Sequence, residues 1–139
     1  MTRNPTMMQV VAAAIGDGDG RWLLQKRPAG KRHAGLWEFP GGKVERGETP
    51  LQALVREVNE ELTIALVGCR DLPVARAEAE AGEGEPAIVI TLYKVDRWDG
   101  SPHAEPGAEL GWFTRTEMDG LPLPPLDRAL AAQLFADAA

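Results

Sequence analysis

Residues 41–64 read GGKVERGETPLQALVREVNEELTI, and this stretch decides the fold of the chain. Two glycines and a loop lead into a segment in which Glu57, Glu60 and Glu61 stand at positions i, i+3 and i+4. On a helix these three side chains share one face. Like charges at this spacing destabilise an isolated helix by roughly 0.2–0.5 kcal/mol per pair. The pattern therefore indicates a compensating partner, and a divalent cation with oxygen ligands is the natural candidate.

The sequence also predicts where this helix begins and which side of it is buried. Thr49 is a good N-cap, Pro50 suits the first helical position, and Gln52 completes a T-x-x-Q capping box. Apolar side chains recur at helical spacing, about a third of a turn from the glutamates. These side chains are Leu51, Leu54, Val55, Val58 and Leu62. We expect this apolar stripe to anchor the helix in the core while the carboxylates line a cleft.

The glutamates alone allow a simpler interpretation, in which they form the solvated face of an amphipathic helix. Arg56 can pair with Glu60 at i, i+4, although Arg before Glu is the weaker orientation. Two neighbouring features favour a metal site instead. A turn at residues 39–42 comes immediately before the acidic segment, and Glu48 stands at the helix entrance.

With these residues in place, the sequence resembles the Nudix hydrolases, whose signature is G-x5-E-x7-R-E-U-x-E-E-x-G-U with U a bulky aliphatic residue. The matching positions are Gly42, Glu48, Arg56, Glu57, Val58, Glu60, Glu61 and Ile64. Thr63 departs from the signature, which has a glycine at the end of the helix. A β-branched residue is poorly suited to the left-handed conformation of that glycine, so Thr63 leaves the shape of the helix exit open.

The order of the predicted elements indicates an α/β layered domain, and the resemblance implies an α/β/α sandwich around a mixed β-sheet. Strands are predicted at residues 9–15, 21–26, 65–69, 74–78, 87–95 and 109–113, and a terminal helix at residues 127–138. Residues 16–20, rich in glycine and aspartate, predict a hairpin between the first two strands. Residues 79–86 predict a mobile hairpin loop, and residues 98–106 predict a further loop.

Cleavage of a phosphoanhydride requires charge neutralisation, an activated water and an oriented leaving group. Magnesium suits this chemistry because it takes octahedral oxygen ligands and keeps several waters, and manganese is the alternative. We predict that Glu57, Glu60 and Glu61 are the metal ligands. The resemblance implies the carbonyl of Gly41 as a further ligand.

The resemblance leaves open which carboxylate takes the proton of the attacking water, because the family varies on this point. The candidates are Glu57 and Glu60 on the helix and Glu105 in a downstream loop, with Glu109 as the fallback for Glu105. Arg56 is predicted to orient a glutamate rather than to touch the substrate. Glu48 is predicted to do the same from the loop.

Beyond the signature, the chain resembles the mutator-type branch of the family, which hydrolyses 8-oxo-dGTP or CTP to a nucleoside monophosphate and pyrophosphate. The matching stretches are residues 25–28 (QKRP), 35–43 (GLWEFPGGK) and 123–127 (LPPLD). Arg27 and Lys43 are predicted to contact phosphate, because a localised cation there counters the acidic average of the chain. Arg27 could instead lie on the surface.

Asp127 bears on the choice of base, since guanine-cleaning relatives often have Asn at this position. An ionised Asp only accepts hydrogen bonds, which suits the exocyclic amine of cytosine. A protonated Asp suits an oxidised purine. The alternative is that Asp127 is only the N-cap of the last helix.

The predicted function is therefore a magnesium-dependent pyrophosphohydrolase that acts on a cytosine nucleotide or on oxidised dGTP. One alternative is a nucleotide-binding or regulatory Nudix domain without turnover. The other is an interaction domain whose acidic helix is only solvated.

Composition narrows the partners of the chain. Its 139 residues predict a single domain, and its net charge of −6 argues against a nucleic-acid polymer, which needs a basic face. A small nucleotide, met locally by metal and a few cations, fits this charge. The single cysteine, Cys69, excludes an internal disulfide and fits a cytoplasmic location. No apolar run reaches membrane-spanning length, and the sequence leaves open whether the protein is a monomer or a homodimer.

Overall fold

Strand β1 (Met8–Ile15) lies inside a four-stranded mixed sheet. It pairs in parallel with β7 (Ile88–Val95) and antiparallel with β4 (Gly41–Lys43). Strand β6 (Pro73–Ala79) forms the edge beyond β7 and is antiparallel to it. The sheet is therefore mixed, as the family resemblance implied.

Further elements complete the computed structural model, which describes residues 7–28, 30 and 34–136. The other strands are β2 (Arg21–Lys26), β3 (Trp37–Glu38), β5 (Ala65–Leu66), β8 (Trp98–Asp99) and β9 (Glu109–Thr114). The helices are α1 (Pro50–Leu62), α2 (Arg115–Asp119) and α3 (Pro125–Ala136). An antiparallel sheet has the order β3-β2-β9, and β5 pairs with β8.

The side chains of β1 alternate between two hydrophobic cores because successive residues of a strand point to opposite faces. Val11, Ala13 and Ile15 belong to the core that contains the buried residues of α1. Ala12 and Ala14 belong to the core that contains the buried apolar residues of α3. Helices therefore cover both faces of the sheet, which confirms the predicted α/β/α sandwich.

The start of α1 follows the prediction from its capping residues. Thr49 Oγ1 accepts a hydrogen bond from the backbone N–H of Gln52 at 3.1 Å, and Gln52 Oε1 accepts one from the N–H of Thr49 at 2.9 Å. Pro50 is the first helical residue. The capping box satisfies two backbone donors that would otherwise lack helical partners.

The end of α1 has the shape that a glycine would give it, although the residue is Thr63. Thr63 adopts the left-handed conformation, with φ 57° and ψ 36°. Its N–H donates to the Asn59 carbonyl at 2.9 Å, and its hydroxyl donates to the Leu62 carbonyl at 2.6 Å. The departure from the signature therefore changes the residue but not the form of the helix exit.

One residue of the predicted apolar stripe is not buried. Val55 is 41% exposed, whereas Ala53, which was not assigned to the stripe, is fully buried. Leu54, Val58 and Leu62 are buried as predicted. At about 100° per residue, the buried arc extends toward the acidic side of the helix, so Val55 lies outside it.

The predicted hairpin between the first two strands is wrong. Among the described residues, β1 and β2 share only an isolated bridge between Gly16 and Trp22, and then they enter different sheets. The turn itself forms, because Asp17 Oδ1 accepts hydrogen bonds from the backbone N–H groups of Asp19 and Arg21. Local turn chemistry was read correctly, but it does not fix where each strand pairs.

Most other predicted strands are confirmed within a residue or two, and the exceptions are short. The strand predicted at residues 65–69 reduces to Ala65–Leu66, and the loop predicted at residues 98–106 contains the two-residue strand Trp98–Asp99. Strands β3 and β4 and helix α2 were not predicted. Helix α2 carried a readable signal, since Thr114 and Glu117 form a capping box.

The last helix begins earlier than predicted. It starts at Pro125, so Asp127 lies in its first turn and is not its N-cap. Residues 137 and 138, assigned to this helix from the sequence, lie outside the described residues. Within the described part of the chain, no helix has both the length and the apolar character needed to cross a membrane.

Candidate active site

Helix α1 presents two of its glutamates on its packed side. The side chain of Glu57 is 19% exposed and Glu61 is half-buried, whereas the side chain of Glu60 is 60% exposed. At about 100° per residue, Glu57 and Glu61 fall between the buried residues Ala53 and Leu54. The interpretation that the glutamates form only a solvated helix face is therefore wrong for Glu57 and Glu61.

Arg56 connects the loop before α1 to the glutamates on the helix. Its Nε lies 2.6 Å from Glu48 Oε2, and its Nη1 lies 2.8 Å from Glu57 Oε1 and 3.4 Å from Glu60 Oε2. Its Nη2 donates to the Lys43 carbonyl at 3.0 Å. The planar guanidinium provides several donors in fixed directions, so one side chain orients several acceptors.

Glu48 is held at the helix entrance by two kinds of donor. It accepts from the Arg56 side chain and, at 2.9 Å, from the backbone N–H of Glu45. The Arg56 hydrogen bond, followed by that of Glu45, lowers the pKa of Glu48 to about 2. Glu48 therefore stays ionised, and it ties the loop to α1.

The two glycines that precede the loop allow close approach of backbone and side chains. A Cβ at Gly42 would lie 2.3 Å from the carboxyl carbon of Glu57, so only glycine leaves room for that carboxylate. A Cβ at Gly41 would lie 1.9 Å from the Val11 carbonyl oxygen on the neighbouring strand β1. The glycine of the signature thus has a direct physical role beside Glu57.

Glu61 is held by neutral donors instead of by an arginine. The N–H of Gly41 donates to Oε1 at 3.0 Å, and Nε2 of Gln25 donates to Oε2 at 2.9 Å. Burial, with smaller repulsion from Glu57 and Glu105, raises the pKa of Glu61 to about 7. Glu105, the candidate from the downstream loop, therefore contributes to raising the pKa of Glu61.

Comparison with known proteins bears on this arrangement of carboxylates. A family model described as NUDIX domain matches residues 6–137. The chain belongs to the NUDIX family. It is 40% identical over 131 residues to a CTP pyrophosphohydrolase of Escherichia coli, with 94% of this chain and 93% of that protein covered. It is 34% identical over 131 residues to an 8-oxo-dGTP diphosphatase of Haemophilus influenzae, with 93% and 92% covered.

Solved Nudix structures have the same fold. The solution structure of the E. coli ORF135 protein superposes with a TM-score of 0.83 at 39% identity, over 96% of this chain and 92% of that one. A MutT NUDIX hydrolase from Burkholderia pseudomallei superposes with a TM-score of 0.80 at 33% identity, over 92% and 98% of the two chains. The resemblance stated from the signature is confirmed, and so is the fold class.

A second polar cluster of this Nudix chain surrounds Asp127. The residue is 7% exposed, and its Oδ2 accepts from the backbone N–H of Phe39 at 3.0 Å. Burial, and then the charge of Glu38, raise the pKa of Asp127 to about 7. Arg27 completes the cluster, since its Nε lies 2.5 Å from Glu38 Oε1. Asp127 therefore connects the start of α3 to the chain that leads into Gly41.

The two cations predicted to contact phosphate lie in different surroundings. The Arg27 side chain is 41% exposed and paired with Glu38. Lys43 is exposed at the end of β4, and its carbonyl receives the hydrogen bond from Arg56. Both cations are accessible to solvent, but Arg27 already forms an ion pair with the carboxylate of Glu38.

The chemistry of the α1 carboxylates fits a hard divalent cation. Among the described residues, no three histidine, cysteine, aspartate or glutamate side chains already converge on one point. Glu57 faces Arg56, and Glu61 faces Gln25 and Gly41, while Glu60 is more exposed. Magnesium is usually held by one or two carboxylates and several waters, so it does not require three converging side chains. The donor set therefore fits magnesium or manganese.

The sequence alone indicated no role for Gln25 or for Glu38. The signal for Gln25 in the sequence was its position directly after the apolar pair Leu23 and Leu24 of the predicted strand. The contacts themselves had no local signal, because Gln25 and Glu61 are separated by 36 positions along the chain.

Proposed function

We propose that this Nudix chain is a magnesium-dependent pyrophosphohydrolase that converts a nucleoside triphosphate to a nucleoside monophosphate and pyrophosphate. The observation that carries the proposal is the set of α1 carboxylates, with Glu57 placed beside Gly42 and oriented by Arg56. The names of the relatives, CTP pyrophosphohydrolase and 8-oxo-dGTP diphosphatase, support a cytosine nucleotide or oxidised dGTP as substrate.

The proposed metal ligands are Glu57, Glu60, Glu61 and the carbonyl of Gly41. Magnesium, when bound, supplies charge neutralisation on the phosphoryl oxygens, and manganese is the alternative. Glu48 and Arg56 act as positioning residues in this proposal, because Arg56 joins Glu48 to Glu57 with contacts of 2.6 and 2.8 Å. Their role is to hold the carboxylates at the cleft before the substrate arrives.

A carboxylate of this chain accepts the proton of the attacking water. Glu60 is the most exposed of the α1 glutamates and has the longest contact with Arg56, at 3.4 Å. Glu57 is the second candidate on the helix. Glu105 is the candidate from the loop, supported by its electrostatic effect on Glu61.

The Asp127 cluster is the proposed base-recognition site. Asp127 uses one oxygen to accept from Phe39, and a carboxyl group has capacity for further hydrogen bonds. With its pKa raised to about 7, Asp127 can accept from the amine of cytosine when ionised or donate to an oxidised purine when protonated. Arg27 and Lys43 are the proposed phosphate contacts, since both side chains reach solvent.

The proposal extends to the setting of the protein. A single cysteine fits a reducing cytoplasm, and a net charge of −6 fits a small nucleotide better than a nucleic-acid polymer. Either a monomer or a homodimer is compatible with a site built from one chain.

The test is hydrolysis of CTP, dCTP, 5-methyl-dCTP and 8-oxo-dGTP at equal concentration with magnesium, followed by identification of the products. We expect a nucleoside monophosphate and pyrophosphate from at least one of them, and none without the metal. A clear preference for 8-oxo-dGTP would reject a cytosine-specific role of Asp127. Binding without product from any nucleotide would instead indicate a nucleotide-binding Nudix domain.

A further inference from the structure

Gln25 is a buried amide at the end of a run of apolar residues. It is 4% exposed, and the preceding residues of β2, Leu23 and Leu24, are fully buried. Burying an amide without a hydrogen bond is unfavourable. The partner of its Nε2 is Glu61 Oε2, at 2.9 Å. The one buried amide of this strand is therefore aimed at an acidic residue of α1.

The contact makes Glu61 the meeting point of three elements. Gly41 of β4 donates to Oε1, and Gln25 of β2 donates to Oε2. Strands β2 and β4 belong to different sheets, so the carboxylate is fixed from two directions. A carboxylate has about four lone-pair positions, and these two donors leave one on each oxygen. Glu61 is oriented without being saturated.

The donors on Glu61 differ in charge from the donor on Glu57. Arg56 approaches Glu57 at 2.8 Å with a full positive charge. Gln25 and the Gly41 amide carry no net charge, so they orient Glu61 without repelling a cation that approaches it. Neutral donors therefore suit a carboxylate that has a fixed orientation and also binds a metal ion.

We propose that Gln25 is a positioning residue of the metal site, which sets the direction in which Glu61 faces the cation. The inference rests on the proposed function, because it takes Glu61 as a metal ligand. Partners that orient metal ligands typically change metal affinity by 10- to 100-fold when they are removed. The competing explanation is that Gln25 only joins β2 to α1 and contributes to stability alone.

The test measures Mn²⁺ affinity, without nucleotide, by electron paramagnetic resonance at a temperature well below unfolding. Gln25→Met keeps the length of the side chain and removes the donor, and we expect the Kd for Mn²⁺ to rise about 10-fold or more. Gln133→Met is the matched control. The amide of Gln133 hydrogen-bonds the backbone of Arg76 at 2.7 and 2.9 Å, on the edge strand β6. Gln133→Met should therefore lower the melting temperature and leave the Kd for Mn²⁺ unchanged.

A third variant separates failure of the inference from failure of the proposed function. Glu61→Gln removes the proposed ligand and should weaken Mn²⁺ binding at least as much as Gln25→Met. If Glu61→Gln weakens binding and Gln25→Met does not, the inference is overturned and the metal site stands. If Glu61→Gln leaves the Kd at the parent value, or the parent binds no Mn²⁺, both are overturned. Should Gln25→Met not fold, Gln25→Asn decides in its place, since its shorter amide withdraws from Glu61 and should raise the Kd in the same direction.

Discussion

At the residue scale, Gly42 determines how close the backbone comes to Glu57. A Cβ there would lie 2.3 Å from the carboxyl carbon, a distance that forces Glu57 to move. Gly42→Ala should therefore lower the affinity for Mn²⁺ by about 10-fold, in the range seen when the surroundings of a ligand are disturbed. Calorimetric titration with Mn²⁺ measures this change. Gly82→Ala is the control, because a Cβ at Gly82 meets no atom within 4 Å. If the Gly42 variant and the parent bind Mn²⁺ with equal affinity, the assignment of Glu57 as a metal ligand is contradicted.

Asp127 should make stability depend on pH. Its pKa is about 3.8 in an unfolded chain and about 7 in the fold, where it is buried. Between these values the folded state binds more protons than the unfolded state, so stability falls as pH rises from about 4 to about 7 and then levels off. The loss is at most about 4 kcal/mol, because a pKa difference of one corresponds to about 1.4 kcal/mol.

Asp127→Asn removes this dependence and still accepts from Phe39. We therefore expect the melting temperature of Asp127→Asn, relative to that of the parent, to increase as pH rises from 4 to 7. Circular dichroism measures both melting temperatures. Glu61, whose pKa is also raised to about 7, titrates in both proteins and cancels in the difference. Asp119→Asn, at an exposed position, is the control and should follow the parent. A constant difference between Asp127→Asn and the parent across this range would show that Asp127 is ionised in the fold at pH 4.

At the element scale, the exit of α1 contains a removable strain. Thr63 holds φ 57°, a left-handed conformation that is unfavourable for a residue with a Cβ by roughly 1–2 kcal/mol. Thr63→Gly should stabilise the protein by up to about 1 kcal/mol, because the lost hydroxyl contact and the greater freedom of glycine in the unfolded chain offset part of the relieved strain. Thermal unfolding should show a melting temperature higher by a few degrees.

Thr49→Gly is the control at the other end of the same helix. Thr49 has φ −78°, so glycine relieves no strain there and the hydrogen bond to Gln52 is lost. That substitution should destabilise by a few tenths of a kcal/mol. A decrease in melting temperature for Thr63→Gly would mean that the threonine contacts outweigh the strain.

The elements that were predictable are those specified by their own residues. The start of helix α1 and the spacing of the glutamates along it were predictable, because capping and acidic spacing are local signals. Strands β3 and β4 are two and three residues long and exist because β2 and β1 pair with them. The hairpin after β1 failed for a related reason, since the turn is local but the partner of each strand is not.

At the scale of the whole molecule, the site depends on contacts between distant parts of the chain. Gln25 reaches Glu61 across 36 positions, and Phe39 reaches Asp127 across 88. Periodicity within a window cannot indicate such pairs, so the role of Gln25 and the contact of Asp127 with Phe39 became visible only in the fold. The family resemblance, carried by the signature around Gly42 and α1, is what allowed the sandwich to be predicted at all.

The central claim is that the α1 carboxylates perform magnesium-dependent pyrophosphohydrolysis, and Glu60 tests it most directly. The Glu60 side chain is 60% exposed, so Glu60→Gln should leave the melting temperature nearly unchanged while it removes a charge from the site. Glu83→Gln, an exposed glutamate in the loop between β6 and β7, is the matched control. The measurement is the rate of pyrophosphate release, with magnesium, from the nucleotide that the parent hydrolyses best. We predict that Glu60→Gln lowers kcat by orders of magnitude and that Glu83→Gln does not, whereas a kcat for Glu60→Gln close to that of the parent would contradict the account.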